Sequence, residues 1–335
     1  MRRSNRGVWI FLSLTSLALA GCGTKPAGGI VDNGKPTVAF VTNNPAEFWT
    51  IAQHGAEKGA KEFDVNLEFQ MPPRGDDQRR VIEDLLAKGV QGMSVSPVDP
   101  VNQASFFDEV ATKVPLLAHD NDLPPGSKRL AYIGTDNYAA GRDAGKLVKE
   151  AMPDGGKIAI YVGTLSSNAI GRRQGVLDEL AGETDAKGPI YGKFTLIDTM
   201  TDETSQDKCK ANVEDTIVKH GSGPETLGLV GLWAYNPPAM LAAVKGAGLV
   251  GKVKLIGFDE NEETLQGVKD GAIQGTVVQN PFEFGYQAVK MLAAIARKGK
   301  DNAGIPADGI IHVPHRTIKA DNVDEFWTEL KRLQQ

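Results

Sequence analysis

Short amides and carboxylates recur in this chain just after apolar runs. Asn43 and Asn44 follow the run 37–42, with Phe48 and Trp49 close behind. Asp120, Asn121 and Asp122 follow 115–119, and Asp136 and Asn137 follow 130–135. Ser166, Ser167 and Asn168 follow 157–163, with Arg172 a turn later. Asp202 follows 194–200, Asn236 follows 227–234, Asp259 follows 252–258, and Gln279 and Asn280 follow 275–278. Such a set suits a neutral polyol. Carboxylates accept from hydroxyls, amides both accept and donate, and Phe48 and Trp49 offer flat apolar faces to the C–H side of a sugar ring. A phosphate would favour Arg, Lys or a Gly-rich turn at a helix N-terminus. The first strand–helix turn, VTNNPAEFW, has no G-x-G-x-x-G, which argues against a dinucleotide cofactor. No G-x-S-x-G elbow and no Ser/His/Asp order is evident, so neither an enzyme nor a cofactor is expected. His119, Asp120 and Asp122 include one histidine, with no second at metal-ligand spacing, so no metal site is expected.

These residues need a scaffold that gathers them. Strand-like runs at 37–42, 66–71, 92–97, 115–119, 130–135, 157–163, 194–200, 227–234, 252–258 and 275–279 alternate with helical patterns. Those patterns lie at 46–63, 76–89, 101–112, 138–151, 170–181, 204–220, 238–247, 261–270 and 282–298. In 76–89, Val81, Ile82, Leu85 and Leu86 recur at helical spacing among charged residues. The alternation predicts an α/β fold of parallel sheets with helices on both faces. There are too many units for one such sheet, which points to two doubly wound domains, with an eight-fold barrel as the rival. Ala118-His119-Asp120-Asn121 and Gly257-Phe258-Asp259-Glu260 form a weak echo, each placing Asp at the end of an apolar strand. Either Asp alone would read as a helix cap. Together with Asn236 and Gln279, at the strand ends where open α/β sheets bind ligands, they read as ligand groups.

On these stretches the chain resembles periplasmic sugar-binding proteins of the ribose-binding type, the solute-binding components of ABC importers, over about residues 36–314. Asn43-Asn44-Pro45 with Phe48-Trp49 is similar to that family's Asn-rich turn and stacking aromatics, with Ala46 and Glu47 as extra residues between them. Asp120 stands where the family has a sugar-binding Asp. Thr135-Asp136-Asn137 with Gly141 is similar to the signature at the first interdomain crossing. Asn168 with Arg172 and Gly175, then Asn236, Gly257-Phe258-Asp259 and Gln279, resemble further ligand segments. The chain departs from the family in having Asn121 where the strand-end Asp is followed by Arg. Asn168 or Ile170 replaces a second Arg, and Thr201 replaces an aromatic.

The resemblance implies a type I periplasmic binding protein: two doubly wound parallel-sheet lobes joined by three crossovers. Carried onto this chain, lobe 1 is 36–136 plus 280–309 and lobe 2 is 137–279 plus 310–335. The implied ligand set is Asn43, Phe48, Trp49, Asp120, Asn121, Asn168, Arg172, Asn236, Asp259 and Gln279. The implied ligand is a monosaccharide or related polyol, and the implied partner is an ABC permease. A sensor feeding a chemoreceptor or kinase is the alternative. A LacI-type regulator shares the core but needs a DNA-binding head.

Residues 1–35 hold no such head. Arg2, Arg3 and Arg6 precede a 13-residue apolar stretch, 8–20, too short for the ~20 residues of a spanning helix. This is the pattern of a secretory signal peptide over 1–21. It ends in Leu19-Ala20-Gly21-Cys22, which resembles the lipobox of bacterial lipoproteins and implies lipidation at Cys22. Residues 22–35 then read as a tether, so the expected membrane contact is through the lipid only, at the bacterial membrane, facing the periplasm or cell exterior. The chain's formal charge of −5 becomes −8 once the three arginines leave with the signal, against any general affinity for nucleic acid. With Cys22 acylated, Cys209 has no partner and reads as a small buried apolar residue.

Overall fold

A computed structural model describes residues 33–334. The expected signal peptide, Cys22 and most of the expected tether fall outside the described residues. The chain starts with five β-strands and three α-helices: β1 (Thr37–Val41), α1 (Glu47–Glu62), β2 (Asn66–Gln70), α2 (Gly75–Lys88), β3 (Met93–Val95), α3 (Ala104–Lys113), β4 (Leu116–His119) and β5 (Ala131–Gly134). It then crosses to a second sheet with α4 (Asn137–Ala151), β6 (Gly156–Val162), α5 (Ser167–Ala181), β7 (Ile190–Tyr191), β8 (Phe194–Thr201) and α6 (Gln206–His220). That part continues with β9 (Leu227–Gly231), α7 (Asn236–Gly246), β10 (Lys254–Phe258), α8 (Glu262–Lys269) and β11 (Gly275–Val278). A return crossing leads to α9 (Pro281–Lys298) and β12 (Ile310–His312), and a third leads back to β13 (Arg316–Ile318) and α10 (Val323–Leu333).

The first sheet has the order β12-β5-β4-β3-β1-β2, and the second β13-β11-β10-β9-β6-β8-β7. Pairing is parallel except at the β13 and β7 edges of the second sheet. Both parallel cores follow one doubly wound order, in which the first strand lies between the second and the third. The fully buried runs TVAFV, LLAH and LGLVG belong to strands covered on both faces. The helix α9 joins the first core through Phe284, Ala288, Val289 and Leu292. α10 joins the second through Val323, Phe326 and Leu330, and Ile51 of α1 reaches into that same core. The last carbonyl of α10, on Leu333, accepts from Nδ1 of His54 in α1 at 2.6 Å.

One expectation needs correction. Ile310–His312 pairs with Tyr132–Gly134 in the first sheet, so the chain leaves that sheet after His312 rather than at residue 309. The amphipathic helix α10 and the short edge strands β7, β12 and β13 were not anticipated. Each of these strands is only two or three residues long, too short for a periodic signal.

Candidate functional site

Strand order explains which side chains meet. In the first sheet β1, β3 and β4 are neighbours, so their carboxyl ends place Asn43, Ser96 and Asp120 side by side. Ser96 Oγ donates to Asp120 Oδ2 at 3.2 Å, and Asn43 Nδ2 donates to Ser96 Oγ at 3.0 Å and to Asp120 Oδ2 at 3.4 Å. In the second sheet β11, β10, β9 and β6 are neighbours. Their ends bring together Gln279, Asp259, the segment Trp233-Ala234-Tyr235, and the start of α5 with Asn168 and Arg172.

These two rims face each other across a cavity of about 200 Å³. Its lining includes Asn43, Phe48, Trp49, Asp120 and Asn121 from one lobe and Asn168, Arg172, Trp233, Tyr235, Asp259 and Gln279 from the other side. The lobes touch over it: Asn168 Nδ2 donates to the Asp120 carbonyl at 3.1 Å and to Asn121 Oδ1 at 3.0 Å. Asn121 in turn donates to the Pro97 carbonyl at 3.1 Å.

Arg172 is buried with its guanidinium 4.0 Å over the Phe258 ring. Its Nε donates to Asn137 Oδ1 at 2.8 Å and its Nη1 to the Leu232 carbonyl at 2.9 Å. Burial lowers its pKa, while Asp259 and Asp120 oppose that shift. The helix that carries it lies hard against α4: a Cβ on Gly141 would run into the Arg172 carbonyl, so the glycine sets how close the two helices come.

Asp120 is half-buried and Asp259 buried, and both are in the left-handed region, with φ of 57° and 65°. Neither caps a helix. The left-handed turn points each carboxylate back over the end of its sheet. Burial raises the Asp120 pKa to about 6, with Arg172 opposing and Asp259 adding to the rise. Asp259 is also raised by burial, against Arg172 and the hydrogen bond from Gln279 Nε2 at 3.0 Å. A guanidinium among two carboxylates leaves a pocket rich in acceptors with little net charge, which is chemistry for hydroxyl groups.

One predicted ligand residue, Asn236, is turned away from the cavity, and another, Trp49, lines it mostly from within the core. Asn236 is fully buried and does not line the cavity. Its Oδ1 accepts from the Trp233 backbone N–H at 2.9 Å, and its Nδ2 donates to Asp202 Oδ2 at 3.0 Å and toward Cys209 Sγ at 3.3 Å. Its polar atoms are spent on holding the 233–235 segment, with Asp202 also accepting from the Tyr235 hydroxyl. Trp49 borders the cavity but is only 2 % exposed, packed edge-on against Phe40, Phe48 and His119. Its indole N–H donates to Asn43 Oδ1 at 3.0 Å, so it supports Asn43 from behind, while the less buried Phe48 carries the exposed aromatic face. The aromatic expected to be missing at Thr201 is supplied elsewhere, by Trp233 and Tyr235. Their signal was the cluster LWAYNPP after a buried strand. His119 is buried, with Nδ1 2.8 Å from Ser94 Oγ. Cys209 is buried as expected, and burial pushes its thiol up to about 12.

The family described as periplasmic binding protein domain matches residues 38–301. The chain belongs to that family. It is 28% identical to the D-allose-binding periplasmic protein of Escherichia coli over 273 residues, covering 77% of this chain and 83% of that one. A solute-binding protein from Burkholderia graminis, solved in complex with D-arabinose, superimposes with a TM-score of 0.76 at 27% identity, covering 86% of this chain and 96% of its own. GanP, a glucose-galactose binding protein from Geobacillus stearothermophilus, does so with a TM-score of 0.75 at 25% identity, covering 86% and 98%. The α/β fold with two parallel sheets is that of type I periplasmic binding proteins. Helix α10 lies beyond the matched region.

Proposed function

We propose that this protein is the solute-binding component of a sugar ABC importer, which captures a monosaccharide or related polyol between its lobes and hands it to a membrane permease. The observation that carries this reading is the pair of strand-end carboxylates, Asp120 from one lobe and Asp259 from the other, lining one interlobe cavity with Arg172. Hydroxyls bridging both rims would bind the closed arrangement better than an open one, and only that preference can drive closure. The ligand set comprises Asn43, Asp120, Asn121, Asn168, Arg172, Asp259 and Gln279, with Phe48, Trp233 and Tyr235 as ring faces. A cavity of about 200 Å³ holds roughly seven waters' worth of liquid, the scale of one sugar ring. The protein acts by binding rather than by catalysis. Its leader would export it, and lipid on Cys22 would keep it at the membrane beside the permease.

Calorimetric titration of the mature chain with D-allose, D-ribose, D-arabinose, D-fructose, D-glucose, D-galactose and simple polyols tests the reading. One of them is expected to saturate at one per chain and raise the melting midpoint by mass action, with disaccharides inert. If every one of these fails to bind, the reading is wrong. Recovery of the native protein entirely in the soluble fraction would overturn the anchor.

A further inference from the structure

Thr135 and Gln279 occupy corresponding places in the two lobes. In the first, the Asp120 N–H donates to the Ile133 carbonyl at 3.1 Å, and Thr135 stands two residues on. In the second, the Asp259 N–H donates to the Val277 carbonyl at 2.8 Å, and Gln279 stands two residues on. Each residue therefore opens a crossing between the lobes, and the two are bonded: Thr135 Oγ1 donates to Gln279 Oε1 at 2.8 Å. Thr135 is 2 % exposed and does not line the cavity.

An amide has one accepting and one donating end. With Oε1 taken by Thr135, Gln279 must present Nε2, which reaches Asp259 Oδ1. Reversed, the amide would set its oxygen against a buried carboxylate. We propose that Thr135 is a positioning residue of the ligand site: its hydroxyl anchors the Gln279 amide oxygen, holds Nε2 on Asp259, and ties the grip on the ligand to the two crossings about which the lobes turn. Removing the hydroxyl leaves the buried amide oxygen without its donor, loosens the amide, and uncouples the carboxylate from the first crossing. This inference rests on the sugar-binding reading above.

The test compares Thr135→Val, which keeps the shape, with Thr135→Ser, which keeps the hydroxyl. Against the tightest sugar of the panel, Thr135→Val is expected to raise Kd about tenfold, the scale of one buried hydrogen bond. Thr135→Ser should stay near the wild type. The double variant Thr135→Val/Gln279→Ala should bind no worse than Gln279→Ala alone, because the first change acts through the second residue. A merely structural threonine would lower the melting midpoint but leave Kd in place. Unchanged Kd, or effects that multiply in the double variant, overturns the proposal. If no sugar binds the wild type, the functional reading has failed instead. The positioning role is then judged by energy transfer between dyes on cysteines introduced at the exposed positions Glu83 and Lys187, in a Cys22→Ser background. Thr135→Val should shift the ligand-free distribution away from closure, and an unshifted distribution overturns it.

Discussion

Asp120 and Asp259 are built alike and held differently. Each ends a buried strand, each turns left-handed, and each gives its N–H to the next strand. Even the support of the main-chain carbonyl repeats: the Tyr132 hydroxyl donates to that of Asp120 and the Thr276 hydroxyl to that of Asp259, both at 2.8 Å. The carboxylates then part company. Asp120 is held by Asn43 and Ser96, two groups of its own lobe. Asp259 is held by Gln279, which belongs to a crossing. One carboxylate is a fixture of a rigid rim. The other reports on how the two lobes sit.

The largest effect should therefore follow loss of Asp259. Asp259→Ala is expected to cost roughly 2–4 kcal/mol of binding, since it strands Gln279 and Arg172 as well as the ligand hydroxyls. Asp120→Ala should cost less, because Asn43 and Ser96 already bond each other. Calorimetry giving equal losses would erase the distinction.

A smaller effect separates binding from stability. The Asp120 carboxyl has a folded pKa of about 6, above its ordinary 3.8, so between these values the folded chain holds the proton more tightly than the unfolded one. Stability from this residue is greatest at low pH and falls as pH rises through that window, by up to about 3 kcal/mol. Asp120→Asn should then melt higher than wild type at pH 7.5 and lose that advantage near pH 4, while binding sugar more weakly. Melting curves across pH in both proteins check this, and a constant difference would contradict it.

The smallest expected change concerns the aromatic faces. Phe48→Ala should weaken binding by about 1 kcal/mol with little loss of stability. Trp49→Ala should destabilise the fold instead, because its ring fills the core behind Asn43. Denaturation and titration of both variants would separate the two neighbours. A Trp49 variant with normal stability would return it to the ligand face.

Much of this was legible in the residue order, and the misses share a cause. Apolar runs ending in Asp located both carboxylates, because strands covered on both faces are continuous in sequence and their ends are abrupt. Direction was harder to read. Asn236 stands at the right rim but turns inward, since the first residue of α7 can spend its side chain on the backbone of the preceding turn. Trp49 and Phe48 lie side by side on one helix about 100° apart, and only the packing of Phe40 and His119 decides which is covered. The role of Thr135 depends on a partner 144 residues away, which no local pattern encodes.

The threading of the chain through its two halves bears on how it comes to be made. The first sheet takes its last edge strand from Ile310–His312 and the cover of its core from α9, both encoded after the whole of the second sheet's parallel strands. Its early strands therefore leave the ribosome, or the export channel, without the segments that complete them. The later half holds β6 through β11 in one unbroken stretch, yet its edge strand β13 and its core helix α10 come later still. Both halves of this molecule are therefore finished by its last segments, and a chain cut short before residue 310 would leave β5 as a raw edge and the second core without α10.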